Sequence, residues 1–577
     1  MLDYHAPRAD IAFILQHHIG ADALAQVDSC AALDSSLMQA IVDEAGRFAE
    51  QVLAPLNAAG DIQGCQWQDG QVITPEGWAD AYAHFRAAGW TGLCLPEALG
   101  GQALPKVLAM PVAECWQSAN LAFSMIQPLT EGAVEALLAS GDDNLISRYG
   151  PLLVSGDWTA SMALTEPGAG SDLGLLSTRA KPDAAVDTTD RGGYRLTGNK
   201  LFITFGQHDM AERIVHFVLA RLPGAPAGSQ GISLFAVPSI RMGHRDGAPN
   251  GVYCTGIEHK MGLHGSPTCS LTFDNAWGEL VGPAHQGLRI MFVMMNEARL
   301  SVGLQGTAVA ERAYQAALGW AQERRQGKHP LTGESPTALI HHPDIRRLLL
   351  RMRSQIMASR LLGYYLGFRV DQARQTQHPD QVIAHDELEL LTPVYKAWST
   401  EYANRLAGDA IQVFGGMGYI EETGVAQFYR DLKVSTIYEG TTGVQAQDFL
   451  WRKISKDQGA VWYRWLDQVI QDGSAPVVAA AQALRDSTER LLSTLTDLQL
   501  WHAASVALLE ATGVLAGAWQ LNRAVVAADA PEVDPAYRSN LIALNAFYQA
   551  HWLPELHLNL ARVQHANVGL MDYDFQQ

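Results

Sequence analysis

The spacing of apolar residues changes twice along this chain, and that change constrains the fold more than any other feature. Up to about residue 160 apolar residues recur at helical spacing, and Trp78, Tyr82 and Phe85 share one predicted helix face. From about 161 to 285 they alternate with a period of two, as in β-strands. Helical spacing then returns, which predicts an α+β multidomain protein.

The central region predicts a compact antiparallel β domain, either a barrel or a sandwich. β-Branched and aromatic residues alternate with polar ones in four segments, separated by turn residues. Within the first of them, Leu196–Lys200 predicts a β-turn that feeds a strand. The four predicted strand segments are Tyr194–Thr204, Arg213–Arg221, Ile232–Pro238 and Cys269–Phe273.

The length of 577 residues exceeds what one hydrophobic core usually supports, so several domains are expected. We predict an N-terminal helical domain, the central β domain, a C-terminal helical bundle and an additional C-terminal helical domain. A polar break at Gln471–Pro476 predicts a linker near the start of the last one. The predicted domains are residues 1–160, 161–285, 286–455 and 456–577.

Charge and composition exclude several classes of protein. The formal net charge of −19 disfavours nucleic-acid binding, which depends on neutralising phosphates. No stretch reaches 18 consecutive apolar residues, so no membrane insertion is expected, and the first 20 residues do not resemble a secretory signal. These two absences lead us to expect a cytoplasmic location. The six cysteines and the histidines lack metal-ligand spacing, so we expect reduced thiols and no metal site.

Two glycine-containing segments place polar groups where a plain core would not. Thr165-Glu166-Pro167-Gly168-Ala169-Gly170-Ser171 exposes backbone N–H groups and small polar side chains, which suits a polar cofactor edge or a phosphate. Taken alone, a strand-end turn without a ligand explains it as well. The second segment, Gln412–Tyr419, has a glycine pair within a helical region, which allows close packing or backbone contact with a ligand.

Glu439 is the candidate general base. It follows the apolar pair Ile437-Tyr438 and precedes Gly440, at a predicted edge between helix and loop. Burial among apolar groups would raise the pKa of its carboxyl and make it a competent base near neutral pH. Taken alone, a solvated carboxylate at a helix end is the other explanation.

Taken together and in this order, the three segments around Thr165, Phe202 and Glu439 resemble the acyl-CoA dehydrogenase family over roughly residues 30–455. The extra C-terminal residues resemble its long subfamily, which contains 3-methylmercaptopropionyl-CoA and broad-range fatty acyl-CoA dehydrogenases. The resemblance implies the cofactor FAD and oxidation of an acyl-CoA thioester to its trans-2-enoyl-CoA. Glu439 would take the α-proton, the β-hydride would pass to flavin N5, and an electron-transfer flavoprotein would accept the electrons.

The resemblance also implies roles for residues at matching positions. Ser171 would lie near the flavin and the CoA arm, and Arg299 near the CoA region. Gly443 departs from the family, where relatives often carry Gln or Glu, so a side-chain contact to FAD there is not expected. The implied FAD-binding residues are Met162, Leu164, Thr165, Phe202, Thr204, Arg324, Gln412, Gly416 and Thr441.

Three alternatives bear on this interpretation. Some family members carry the base on the earlier long helix, but Ala298 occupies that place here and cannot serve. An acyl-CoA oxidase would share the fold and pass electrons to O₂. A DNA-associated member would need a basic C-terminal domain, whereas residues 477–577 contain five Arg and no Lys against ten Asp plus Glu.

The resemblance also implies a homodimer, because Arg324, Gln412 and Gly416 match positions that reach the FAD of a neighbouring subunit.

Overall fold

The structure is a computed structural model that describes residues 3–31, 33–183, 193–240, 250–375, 378–494 and 497–576. Its contacts define two compact units, each built from separate stretches of the chain. The first unit comprises Met1–Glu50, Pro105–Ala119 and Arg299–Gln577. The second unit comprises Gln51–Leu104 and Asn120–Ala298. The predicted fold class is confirmed: helical regions surround a central β region in the sequence, and further helices follow.

Helices dominate the chain before the main sheet. In the helix Trp78–Ala87, the predicted aromatic face of Trp78, Tyr82 and Phe85 is buried, as the spacing of those residues requires. The helices of this region are α1 (Arg8–Phe13), α2 (Ala21–Leu24), α3 (Ser35–Phe48), α4 (Ala54–Gln63), α5 (Trp78–Ala87), α6 (Lys106–Ala119), α7 (Leu121–Ser124), α8 (Ile126–Ser140) and α9 (Asp143–Val154).

Within the described residues, a two-stranded hairpin and a seven-stranded sheet belong to the second unit. The pairings β6-β4-β5-β9-β7-β6 close on themselves, so these strands form a barrel, with β3 added on β6 and β8 on β9. The strands are β1 (Gln66–Gln68), β2 (Gln71–Ile73), β3 (Trp158–Ala163), β4 (Arg179–Pro182), β5 (Tyr194–Thr204), β6 (Arg213–Arg221), β7 (Ile232–Pro238), β8 (Val252–Ile257) and β9 (Thr268–Val281).

Two details of the predicted sheet are wrong. Strand β6 pairs in parallel with β3 and with the end of β4, so the sheet is mixed, because pairing direction depends on connections that periodicity does not encode. The predicted turn at Leu196–Lys200 is part of the continuous strand β5. The polar and glycine residues there accompany shifts in the register with β9, between Leu196 and Gly198 and between Lys200 and Ile203.

Helices return after the sheet. The predicted linker at Gln471–Pro476 is reduced to Gly473 and Ser474 between two helices. The helices are α10 (Gly287–Glu323), α11 (Pro343–Arg374), α12 (Gln381–Phe414), α13 (Val425–Lys433), α14 (Thr442–Gln447), α15 (Ala460–Asp472), α16 (Ala475–Leu492), α17 (Leu498–Ala527), α18 (Pro535–His551) and α19 (Leu553–Gln564).

Helix α17 is the central element of the C-terminal helices in the first unit. It is long and apolar enough to cross a membrane by length and composition alone, yet 72% of its most apolar window is buried inside the protein. Gly513 and Gly517 lie against the ring of Trp398 on α12, where a Cβ on Gly513 would be 2.3 Å from Trp398 Cγ. The burial and the close glycine contact are those of a core helix.

Candidate active site

Glu439 lies in a tight turn between the short helical turn Val434–Thr436 and helix α14. Its φ is +55°, and Gly440 follows at +93°, so two successive residues adopt left-handed backbone conformations. Glycine takes this conformation freely, but a glutamate in it is strained unless its surroundings hold it there. Such strain is concentrated at functional sites, which agrees with the predicted role of Glu439 as base.

Side-chain donors hold both carbonyl groups of this turn. Gln445 Nε2 donates to the Glu439 carbonyl oxygen at 2.9 Å. Lys396 Nζ, from α12, donates to the Gly440 carbonyl oxygen at 2.7 Å. Thr441 accepts a bond from the Val444 N–H and thereby caps α14 directly after the turn. The turn is therefore attached to α12 and to α14.

Glu439 is half-buried in the first unit. Burial raises its pKa above the usual range, and the positive charges of Arg299 and Lys396 offset part of that rise. Arg299 is itself buried and pairs with Asp448, its Nη1 lying 3.2 Å from Oδ2. The raised pKa is the direction predicted from the sequence, and it suits a group that must accept a proton near neutral pH.

In the second unit, a buried ion pair joins the loop 164–171, which follows β3, to strand β5. Lys200 Nζ donates to the Leu164 carbonyl oxygen at 2.8 Å and to Glu166 Oε1 at 2.9 Å. The Leu201 N–H donates to the Thr165 carbonyl oxygen at 2.9 Å. The structure therefore brings together the two segments around Thr165 and Phe202 that the sequence singled out separately.

These two segments present surfaces that fit a planar aromatic cofactor. Phe202 has a φ of +59° and leaves 60% of its surface exposed, which is unusual for a phenylalanine on a barrel strand. Gly168 and Gly170 have no atoms within 4 Å of the place where a Cβ would stand. An exposed ring and open glycine backbone provide an apolar face and close backbone approach, which agree with the isoalloxazine ring of FAD.

The roles of the remaining predicted site residues stay predictions, and the structure gives the exposure of each one. Met162 and Thr204 are half-buried and Leu164 is buried, whereas Ser171 is exposed beyond the open glycines. In the first unit, several predicted cofactor contacts lie on the surface, where a group from outside the subunit could reach them. These exposed residues are Arg324, Gln412, Gly416 and Thr441.

Sequence reasoning missed Lys396, Gln445 and Lys200, each of which holds a backbone carbonyl in one of the predicted segments. A signal existed for Lys396, since it stands alone in the apolar run Val394–Trp398, where a solvated lysine would not be placed. No comparable signal marked Gln445, because a glutamine near a helix start has many ordinary explanations.

The order of helical and β regions, together with a carboxyl of raised pKa at Glu439, is that of one class of multidomain enzyme. Four domain families match the chain in order. They are the acyl-CoA dehydrogenase N-terminal domain (residues 36–157), middle domain (161–276) and C-terminal domain (285–450), and the acetyl-CoA dehydrogenase C-terminal-like domain (459–574). The chain belongs to the acyl-CoA dehydrogenase family, which is FAD-dependent.

Two relatives of known name are similar to this chain over nearly its whole length. The chain is 40% identical over 92% of both lengths to 3-methylmercaptopropionyl-CoA dehydrogenase of Ruegeria pomeroyi. It is 31% identical, over 100% of this chain and 99% of the relative, to the broad-specificity linear acyl-CoA dehydrogenase FadE5 of Mycobacterium tuberculosis.

Two crystal structures share the fold. Caenorhabditis elegans ACDH-11 in complex with C11-CoA superposes with a TM-score of 0.78 at 19% identity, over 100% of this chain and 96% of that one. An acyl-CoA dehydrogenase from Bacillus anthracis, complexed with FAD, superposes with a TM-score of 0.74 at 19% identity, over 94% and 90%.

Proposed function

We propose that this protein catalyses the FAD-dependent α,β-dehydrogenation of an acyl-CoA thioester to the trans-2-enoyl-CoA. The observation that carries the proposal is the Glu439 turn, in which a half-buried carboxyl with a raised pKa is held in a left-handed backbone conformation. Abstraction of a weakly acidic α-proton requires a positioned base, and a carboxyl held in this turn would supply one.

The chain's own residues would supply positioning and proton transfer. Glu439 would take the α-proton of the thioester, and its backbone N–H would donate to the thioester carbonyl as negative charge develops there. FAD, when bound, would accept the β-hydrogen as hydride. Phe202 and the open backbone at Gly168 and Gly170 would hold the flavin ring and exclude water from it.

For the electron acceptor, we propose an electron-transfer flavoprotein, since the relatives described above are named dehydrogenases. Measuring hydrogen peroxide yield against reduction of that flavoprotein tests this choice, and stoichiometric peroxide would identify an oxidase instead. We further propose a homodimer, because Arg324, Gln412 and Gly416 are exposed at positions that in the family reach a neighbouring FAD. Tyr419 beside them leaves 88% of its surface exposed.

For the substrate, the relatives' names support thioesters from the methylthiopropionyl type to linear acyl chains. A panel of 3-methylmercaptopropionyl-CoA, butyryl-CoA, octanoyl-CoA and palmitoyl-CoA, each at several concentrations, would rank them by kcat/KM. We expect at least one member to reduce the flavin, and no turnover of any of them would contradict the proposed function.

The decisive experiment replaces the proposed base. Glu439→Gln keeps the shape of the side chain but cannot accept the proton, so flavin bleaching by a good thioester under anaerobic conditions should slow by about 10²–10⁴ or more. Glu422→Gln, an exposed change in the preceding segment, is the matched control and should bleach at the wild-type rate. Equal FAD content in all three proteins confirms intact folding, and wild-type bleaching by Glu439→Gln would refute the role.

A further inference from the structure

Lys396 is buried in the middle of α12, between Tyr395 and Ala397. A buried ammonium is costly unless it is hydrogen-bonded and close to negative charge. Its ammonium donates to the Gly440 carbonyl oxygen at 2.7 Å, and the nearby acidic groups that act on it are Glu439 and Glu401. The position of this lysine is therefore defined by the Glu439 turn.

The hydrogen bond to Gly440 bears directly on the orientation of Glu439. A residue at a φ of +55° does not keep this conformation by intrinsic preference, so contacts around the turn must hold it. Lys396 and Gln445 hold the two carbonyl groups from different helices. Of these two donors, only Lys396 carries a charge.

The charges around Glu439 come from two long helices. Arg299 on α10 and Lys396 on α12 both favour its ionised form, and the charge of Arg299 is shared with Asp448. Tyr438, next to Glu439, donates to Gln305 Oε1. Burial lowers the pKa of Lys396 to about 8, and Glu439 counteracts part of that fall, so the lysine remains largely protonated near neutral pH.

We propose that Lys396 is a positioning residue for the dehydrogenation: its ammonium fixes the Gly440 carbonyl, aims the Glu439 carboxylate and keeps that carboxylate ionised. The inference rests on the proposed function, since it assigns Lys396 to the base of that reaction. It adds a residue whose proposed effect on the reaction is exerted through Glu439.

The test measures the rate of anaerobic flavin reduction by butyryl-CoA, or by the best substrate of the panel, between pH 5.5 and pH 9. Activity rises with pH as the base ionises. Removing the positive charge in Lys396→Met should raise the pKa of Glu439 and move this rise to higher pH by about one unit, a tenfold loss of rate on the acid side. Lys396→Arg keeps the charge and should stay near the wild-type profile below about pH 8, where Lys396 is itself charged.

Two further variants separate charge from structure. Gln445→Leu removes the other donor without removing a charge, so it should lower the rate at every pH and leave the shape of the profile unchanged. Lys456→Met, at an exposed lysine, should behave as wild type throughout. If Lys396→Met does not accumulate as folded, FAD-containing protein, Lys396→Gln replaces it, with the same expected shift.

The outcomes distinguish this inference from the proposed function. If Glu439→Gln abolishes reduction but the profiles of Lys396→Met and wild type coincide, Lys396 has no role in tuning the base and the inference is overturned. A uniform loss of rate at all pH values in Lys396→Met, without a shift of the profile, would overturn the proposed effect of its charge on Glu439. If Glu439→Gln reduces its flavin at the wild-type rate, the proposed base itself is wrong.

Discussion

The buried carboxylate of Glu166 accepts hydrogen bonds from several donors. The N–H and hydroxyl groups of Ser177 and Thr178 donate to it, together with Lys200 Nζ. Burial opposes its ionisation, but Lys200 and these donors outweigh burial and lower its pKa to about 2. The resulting contribution to stability is full above the ordinary pKa of 4.5 and is lost as the pH falls towards 2.

Glu166 has more hydrogen-bond partners than Lys200, its partner in the ion pair. Burial lowers the pKa of Lys200 to about 8, because it outweighs the attraction of Glu166. Glu166→Leu should destabilise the protein by about 3–5 kcal/mol, because it orphans several buried donors. Lys200→Met leaves four donors on Glu166 and should cost less. Thermal unfolding at pH 7 checks the order, and a larger loss in Lys200→Met would contradict it.

At the level of elements, glycines decide how closely the long helices approach. Gly513 lies in the interior of α17, where glycine is otherwise unfavourable, and its missing side chain leaves room for Trp398. Gly319 in α10 has no atoms within 4 Å of a Cβ position and no left-handed backbone angle. Gly513 therefore has no room for a methyl group, whereas Gly319 has room for one.

We expect Gly513→Ala to destabilise the protein by about 1–3 kcal/mol, because the new Cβ would overlap the indole and force α17 away from α12. Gly319→Ala is the matched control and should stabilise by up to about 1 kcal/mol through helix propensity. Melting temperatures measured by circular dichroism at equal FAD content compare them. A lower melting temperature in Gly319→Ala than in Gly513→Ala would refute the packing argument.

At the scale of the molecule, charged groups far apart in sequence meet within the first unit. Arg360 on α11 is fully buried and donates to Asp10, Glu114 and Glu311, which lie on three other helices. The hydroxyl of Tyr537 on α18 donates to Asp10 at 3.0 Å. The C-terminal helices are therefore bonded to the N-terminal segment as well as packed on α12.

Deleting residues 475–577 should expose the Trp398 surface, remove the Tyr537 bond and leave an aggregating protein. Deleting only 566–577, where Val568 and Phe575 are largely exposed, should leave solubility and melting temperature unchanged. Size-exclusion chromatography with light scattering and FAD absorbance measures both. A longer deletion that stays soluble with full FAD content would contradict the structural role of these helices.

The sequence by itself determined the order of helical and β regions and the bounds of Tyr194–Thr204, Arg213–Arg221 and Ile232–Pro238. Hydrophobic periodicity is a local property, so it can be read without contacts. The family resemblance likewise followed from short motifs, and Glu439 was singled out by its apolar neighbours.

Only the tertiary structure decided what connects these motifs. The decisive contacts join residues tens of positions apart. They are the parallel pairing of β6 with β3, the hydrogen bonds from Lys200 to Leu164 and Glu166, and the hydrogen bond from Lys396 to Gly440. Such contacts depend on which surfaces meet when the chain folds. The left-handed turn at Glu439 is held by the hydrogen bonds from Lys396 and Gln445. The apolar residues around Lys396 indicated that this lysine is buried. Its hydrogen bond to Gly440 forms only because α12 packs beside the turn.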